Sequence, residues 1–285
     1  MKAAYLTTIF KNEQTLDIPC VERPIPKPKT GEVLIQVVSS GINPSDVRAT
    51  LGYFPNTQLP RIPGRDFAGI VVDGSHTWKG KHVWGTGGAV GIESDGTHAE
   101  YAIISETGLA EIPHSLSVLQ AGAQPLPFIT AYYGLVSRAQ LKPGERVLVI
   151  GAMGQVGRAA MTICLWKKAR PIALVRTQED IQAANKLGWE AYSEIPSNLS
   201  VDVILNSIGN LQWDQQIHCL NPLGRMIIIA ALPNQREAKV NLFEVYRKNQ
   251  EIIGINTLEL DPADNAKLLN EMREGFESGL LVPLE

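Results

Sequence analysis

Cysteine is scarce in this chain. Cys20, Cys164 and Cys219 are the only three among 285 residues, widely separated and odd in number. That argues against a disulfide framework and fits a reducing cytoplasm. Long apolar runs are missing too: no window approaches the ~18 uncharged apolar residues that a membrane span needs. The opening stretch "MKAAYLTTIFKNEQTLDI" has neither an apolar h-region nor a cleavage-site pattern, so no signal peptide is expected. Positive charge is not in excess. Lys and Arg total 26 against 29 Asp and Glu, for a net charge of −3, which leaves no electrostatic footprint for nucleic acid or an anionic membrane. Internal repeats and low-complexity tracts are absent. The five histidines, His76, His82, His98, His114 and His218, are scattered without metal-ligand spacing.

What is present divides the chain in two. Up to about residue 118 the runs "MKAAYL", "EVLIQVVSSG", "FAGIVVDG", "KHVWGTG" and "HAEYAII" are strand-like and broken by Pro and Gly. The segment "ERPIPKPKTGE" is an extended connection. This half reads as a mainly antiparallel, barrel-like β domain. Residues 117–140 read as one helix, and "LKPGE" as a turn. From residue 146 branched strands alternate with helices: "RVLVI", helix 155–168, "PIALV", helix 178–187, "VDVILNS", helix 211–219, "RMIIIAAL", then "EIIGIN" and helix 262–277. That alternation predicts an α/β fold with a doubly wound parallel sheet.

The stretch "RVLVIGAMGQVGRAAM" carries the chemistry of the second half. A strand precedes its glycines and a helix begins within them, the context in which a glycine turn holds a dinucleotide pyrophosphate. Gly151 and Gly154 permit the tight turn and a close backbone approach. Gly157 lets the helix pack on the strand, while Ala152 stands where the strict G-x-G-x-x-G pattern has Gly. Gln155 and Val156 complete the helix N-terminus, whose free N–H groups and dipole favour an anion. An NAD site wants an acid about 20 residues on, for the ribose hydroxyls. Here the next strand ends in Val175, Arg176 and Thr177. Arg176 can pair with a 2′-phosphate and Thr177 can hydrogen-bond it, so NADPH is the expected cofactor. Asn206, Ser207 and Gly209 follow one later strand, and Ala230 and Ala231 another. Small residues at carboxyl ends of strands would admit the nicotinamide half.

In this order the motifs resemble the medium-chain dehydrogenase/reductase superfamily, in particular its zinc-free quinone oxidoreductase branch. The resemblance rests on "GINPSDVRATLGYFP", "PGRDFAGIVV", "GTHAEYAII", "QPLPFITAYYGL", "LKPGERVLVIGAMGQVG", "VDVILNSIG" and "PLGRMIIIAAL", and covers nearly the whole chain. It implies a GroES-like β-rich catalytic domain at 1–118 and 279–285, and a Rossmann domain at 119–278. It implies that "GINPSD" and "LGYFP" form an active-site loop and that Thr130 contacts the nicotinamide ribose. It implies a homodimer through the edge strand "QEIIGINT", an apolar edge of the kind usually covered. The chain ends at "SGLLVPLE", where relatives continue with elements that return to the β domain, and the segment between Val72 and Lys81 is shorter than theirs.

The zinc-dependent relatives hold their metal with Cys and His. Asn43 and Pro44 stand where they have a Cys ligand, and Arg65, which has no lone pair to give, where they have a His. Their structural zinc needs four cysteines in one lobe; this chain has one before residue 120. Hydride transfer to a quinone or α,β-unsaturated carbonyl needs an oriented nicotinamide and a donor for the acceptor oxygen. Tyr53 is the expected donor, and Asn43 a contact to nicotinamide or substrate. The alternatives are an aromatic that only packs for Tyr53, a turn residue bonding its own backbone for Asn43, and a back-bonded helix threonine for Thr130. Asp66 reads as a structural partner of Arg65 or a nearby base. The expected activity is thus a cytoplasmic, zinc-independent, NADPH-dependent reductase. The alternatives are a cofactor-binding sensor or structural protein without turnover, and a zinc alcohol dehydrogenase.

Overall fold

The computed structural model describes residues 1–231 and 236–284. It divides into two compact units, Met1–Ile129 with Thr257–Glu277, and Thr130–Asn256 with Ser278–Leu284.

The first unit opens with a small antiparallel pair, β1 (Lys2–Ala4) and β2 (Cys20–Glu22). Its main sheet is built from β3 (Glu32–Ser39), β4 (Asp66–Asp73), β5 (His82–Thr86), β6 (Tyr101–Ser105) and β7 (Ala110–Glu111), all antiparallel in the order β6-β3-β4-β5-β7. Alternate side chains of these strands point to one face, and Val33, Ile35, Phe67, Val71, Val83, Ala102 and Ile104 make the core there. Between β3 and β4 the segment expected as a loop contains a short helix, α1 (Pro44–Thr50). Pro44 at its first position supplies a preset φ, and the Asp46 carboxylate accepts the Asn43 N–H at 2.7 Å. The helix expected over 117–140 is interrupted. It comprises α2 (Val118–Ala121), capped by Ser117, α3 (Pro125–Tyr132), which opens on a proline, and a wider π-type turn over Tyr133–Arg138.

The second unit is a six-stranded, wholly parallel sheet. Its strands are β8 (Arg146–Ile150), β9 (Arg170–Leu174), β10 (Glu190–Tyr192), β11 (Val201–Asn206), β12 (Leu220–Ile228) and β13 (Glu251–Gly254). Their order, β10-β9-β8-β11-β12-β13, is the doubly wound 3-2-1-4-5-6 arrangement. The connecting helices are α4 (Gln155–Trp166), α5 (Gln178–Lys186), α6 (Trp213–Cys219) and α7 (Leu242–Lys248). β10 and α7 are too short to stand out in the sequence. Leu232, the last residue of the strand expected as "RMIIIAAL", lies outside the described residues, as does Glu285.

The two units differ from the expected domain boundaries in three places. The first runs on to Ile129 rather than ending at residue 118, and so takes in α2 and the start of α3. The final helix, α8 (Pro262–Glu277), belongs to the first unit, not to the nucleotide-binding one. Phe276 is fully buried, edge-on to Trp84 at 5.5 Å between ring centroids and 4.8 Å from Phe128. Arg273 donates to the Glu111 carbonyl at 2.7 Å. Burying one such aromatic is worth about 1.5–3 kcal/mol, and its partners lie in the β unit. Conversely, the tail at 278–284 clusters with the second unit, where Leu281 is buried.

One residue fastens the first unit together. Asp66 begins β4 and is completely buried. Its Oδ2 accepts from Asn43 Nδ2 at 2.8 Å, its Oδ1 accepts from the Leu126 N–H in the first turn of α3 at 3.1 Å, and its backbone carbonyl accepts from Ser40 and Thr97, each at 2.6 Å. Burial pushes the carboxyl up from 3.8 to about 7, against the Asn43 hydrogen bond, which pulls it down. The folded chain therefore holds this proton more tightly than the unfolded chain does. The stabilisation is complete below the unfolded pKa and is lost as pH rises through about 7. Asp66→Asn keeps the shape and removes the titration. Between about pH 4 and about pH 7 the parent should lose on the order of 4 kcal/mol relative to this variant. Denaturant titrations across that range check it, and parallel pH profiles for parent and variant would refute it.

Candidate functional site

The second unit holds a cavity of about 700 Å³ where the strand order reverses. It opens at the carboxyl ends of β8 (Ile150, Gly151), β9 (Leu174, Val175) and β11 (Ser207, Ile208), the place where doubly wound sheets bind ligands. Gly151 has φ +80°, and a Cβ there would stand 2.5 Å from Ser207 Oγ, which itself donates to the Ile150 carbonyl at 2.7 Å. Gly154 caps α4, and a Cβ added to it would meet only the Gly151 oxygen at 3.4 Å, so the backbone stays open to a ligand. The Arg158 N–H donates to the Gly154 carbonyl at 2.8 Å. The N–H groups of Gln155, Val156 and Gly157 precede that bond, among those left without an intrahelical acceptor. Gly157 does not face the cavity. A Cβ on it would collide with the Gly151 carbonyl and come within 2.6 Å of Ala152 Cα, so its role is to let α4 lie against β8. Ala152 is fully buried and does not line this cavity. The bare backbone of Gly151, the α4 N-terminus and the cavity size fit the pyrophosphate of a dinucleotide.

At the far end of the cavity Arg176 is exposed and Thr177 begins α5. Thr177 Oγ1 accepts the Asp180 N–H at 3.1 Å, and the Asp180 carboxylate accepts the Thr177 N–H at 3.2 Å. This is a capping box. The Thr177 hydroxyl is thereby engaged as an acceptor, and its proton stays free to donate to a ligand. Asp180 also lines the cavity.

The residues expected around the nicotinamide are not all placed for it. Asn206 is buried, and its amide is spent within its own turn. Nδ2 donates to the Gly209 carbonyl at 2.7 Å and to Gln216 at 2.9 Å, while Oδ1 accepts the N–H groups of Ile208 and Gly209, each at 2.9 Å. Asn206 and Gly209 therefore shape the loop that presents Ser207 and Ile208 and contribute no free group. Ala230 and Ala231 follow β12, half-buried, and do not line the cavity. Met153, Ser193, Leu211 and Gln212 do line it without having been singled out from sequence. Ser193 follows β10, a strand the pattern did not show, and Leu211 and Gln212 sit in a turn with no ligand-type signature.

The first unit presents a different kind of surrounding. Asn43 is buried, with Nδ2 on Asp66 and its N–H on Asp46. Its amide is first of all a brace. Arg65 is 2% exposed. Nη1 makes a long contact of 3.3 Å with Ser45 Oγ, and Nε and Nη2 have no hydrogen-bond partner. Of the pairing expected for Asp66, with Arg65 or a nearby base, only a charge attraction to Arg65 is present; its hydrogen bonds go to Asn43 and Leu126. Burial pushes the Asp46 carboxyl up as well, against the Asn43 N–H and the charges of His98 and Arg65. Tyr53 follows α1, 45% exposed, its N–H on the Arg48 carbonyl at 3.1 Å. Thr130 lies half-buried on α3. Among the described residues no three His, Cys, Asp or Glu side chains converge as a metal site. No helix there is long and apolar enough to cross a membrane.

Comparison with known proteins agrees with this architecture. An alcohol dehydrogenase GroES-like domain model matches residues 29–114, and a zinc-binding dehydrogenase model matches residues 156–274. The chain is 38% identical over 261 residues to a zinc-type alcohol dehydrogenase-like protein of Schizosaccharomyces pombe, covering 90% of this chain and 79% of that one. It is 27% identical over 277 residues to the human quinone oxidoreductase, covering 91% and 82%. An alcohol dehydrogenase superfamily protein from Novosphingobium aromaticivorans superposes with a TM-score of 0.86 at 28% identity, over 99% of this chain and 88% of that one. With a GroES-like unit, a Rossmann unit and a nicotinamide-type cavity at the strand reversal, the chain belongs to the medium-chain dehydrogenase/reductase superfamily of oxidoreductases.

Proposed function

We propose that this oxidoreductase is a zinc-independent reductase of quinones or α,β-unsaturated carbonyls that prefers NADPH. The observation that carries the reading is the replacement of metal donors by Asn43, Pro44 and a buried Arg65. Arginine cannot ligate a metal, and Asn43 has its amide on Asp66. The human relative's name, quinone oxidoreductase, supports the acceptor class. When bound, a dihydronicotinamide supplies a hydride. The chain's own contribution is to hold and orient. The α4 N-terminus and Gly151 seat the pyrophosphate, Ser207 and Ile208 wall the cavity, and Thr130 is proposed to meet the nicotinamide ribose. Tyr53 is proposed as a hydroxyl donor to the acceptor oxygen, whose charge grows during reduction. Consumption of reduced cofactor with a panel of quinones, enones, enals and enoyl thioesters tests the reading, alongside metal analysis of the purified protein. Turnover of simple alcohols by a zinc-loaded form would overturn it.

NADPH is favoured because Arg176 stands at the end of β9 without an acid in the ribose position, and because the Asp180 carboxylate is engaged by the Thr177 N–H. Arg176→Ala should weaken NADPH by roughly 1.5–3 kcal/mol, the worth of hydrogen bonds to a charged group, and leave NADH nearly unmoved. Equal titration curves for the two cofactors on the parent would contradict this.

Tyr53→Phe keeps the ring and removes the donor. The rate should fall by about 5- to 30-fold, or on the order of 1–2 kcal/mol, with enones hurt more than quinones, which spread charge better. An undiminished rate on both classes would leave Tyr53 a packing residue.

The second unit is also proposed to form a homodimer. β13 ends the sheet, and Ile252 on it is exposed, as are Leu242, Phe243 and Tyr246 of α7. An apolar sheet edge of this kind is ordinarily covered. Light scattering should return about twice the 31.1 kDa chain mass; a monomer mass across the micromolar range would refute it.

A further inference from the structure

Arg176 has a neighbour on the next strand. β9 and β10 run in register, with Tyr192 beside Leu174, and the Val175 N–H donates to the Tyr192 carbonyl at 2.9 Å. The two strands therefore leave the sheet together. Ser193 emerges beside Val175, one step before Arg176, and all three line the cavity of the second unit. β10 is the last strand on that side, so no further strand fixes where Ser193 goes.

A side chain does so instead. Gln212, which immediately precedes α6, accepts the Ile195 N–H on Oε1 at 3.0 Å and donates from Nε2 to the Ser193 carbonyl at 3.3 Å. Its amide thus meets one donor and one acceptor of the edge chain, as the peptide groups of an added strand would. The backbone there is strained for a glutamine. Its φ is +54° and its ψ +37°, in the left-handed region that glycine enters freely and a Cβ disfavours. Such residues persist where their surroundings over-determine them, and they gather at ligand sites. The two hydrogen bonds are what glutamine has at this position and glycine would lack. Ser193 is itself exposed, and its hydroxyl, unlike its carbonyl, has no partner among the described residues.

We infer that Ser193 is a second specificity residue for the cofactor: its hydroxyl donates to the 2′-phosphate of the adenosine ribose beside Arg176, and Gln212 is the positioning residue that holds it there. The inference rests on the NADPH reading above and extends it. The Asp180 carboxylate lines this end of the cavity too, so a phosphate seated there needs more than one donor. Arg176 brings charge on a long side chain. Ser193 brings a short donor fixed to the sheet edge, and a hydrogen bond to an ionised oxygen is roughly twice as strong as one between neutral groups. NADH offers only a neutral hydroxyl at that place, so the same serine favours the phosphate.

Adenosine 2′,5′-bisphosphate and 5′-AMP differ by that phosphate alone and serve as the probes. Titration calorimetry on the full chain reads their affinities without any turnover. The parent should bind the bisphosphate more tightly. Ser193→Ala should weaken the bisphosphate by about tenfold and leave 5′-AMP unmoved, while Ser193→Thr, which keeps the hydroxyl, should retain the preference. Gln212→Gly suits the left-handed backbone and should lose the same factor. Combined with Ser193→Ala it should be no weaker than Ser193→Ala alone, because the two residues act through one contact. A preference preserved in Ser193→Ala, or both probes weakened equally, overturns the inference; losses that add in the double variant overturn the part given to Gln212. A parent that binds the two probes alike refutes the NADPH reading itself. A preference that vanishes with Arg176→Ala but not with Ser193→Ala keeps that reading and refutes this one.

Discussion

The Asp66 carboxyl is the constraint on which the first unit depends. From one buried side chain it holds Asn43, and through it the entry to α1; it holds the amide of Leu126, and through it the start of α3. Its own carbonyl takes two hydroxyls, from Ser40 and Thr97. Segments far apart in sequence are thereby fixed at one end of β4. Such a group is expensive to bury, and the shift of its pKa to about 7 measures that expense. The outlay is tolerable only because each oxygen meets an N–H that would otherwise be unsatisfied. The neighbouring Arg65 is left over from this arrangement. Arg65 makes no hydrogen bond to it, and the two side chains meet through charge alone.

The second unit works by the opposite economy, with backbone where the first uses charge. Gly151 turns the chain, Gly157 lets α4 close on β8, and the cavity at the strand ends is lined by the glycine turn together with apolar side chains such as Ile150, Leu174 and Ile208. A pyrophosphate needs N–H groups and a favourable dipole more than it needs cations, so neutral residues suffice there. Charge reappears only at the ribose end, in Arg176 and Asp180.

Legibility in the sequence follows the same division. The glycine turn and the branched strands of the parallel sheet were readable because their determinants are local: a period, a turn residue, a helix start. Thr177 was half-readable. T-x-x-D is a capping pattern, and the structure uses the hydroxyl for that first. A small polar residue at a strand end looks the same in sequence whether it meets a ligand or closes its own turn, and the Asn206 amide closes its turn. For Asp66 the sequence offers Arg65 or a nearby base as partner; that one of its oxygens goes instead to a main-chain N–H depends on α3, some sixty residues away. The helix at 262–277 was found by its periodicity, but periodicity says which face is buried and not against what. Trp84 and Phe128 decide that.

The return of α8 gives the first unit a discontinuous chain. As the polypeptide leaves the ribosome, Trp84 and Phe128 emerge long before the Phe276 that covers them. At about 5–20 residues per second, the more than one hundred intervening residues take on the order of ten seconds to synthesise. Throughout that interval an aromatic surface stays uncovered, while the second unit, continuous from 130 to 256, is free to collapse first. The aromatic core of the first unit is therefore completed only once α8 has been made.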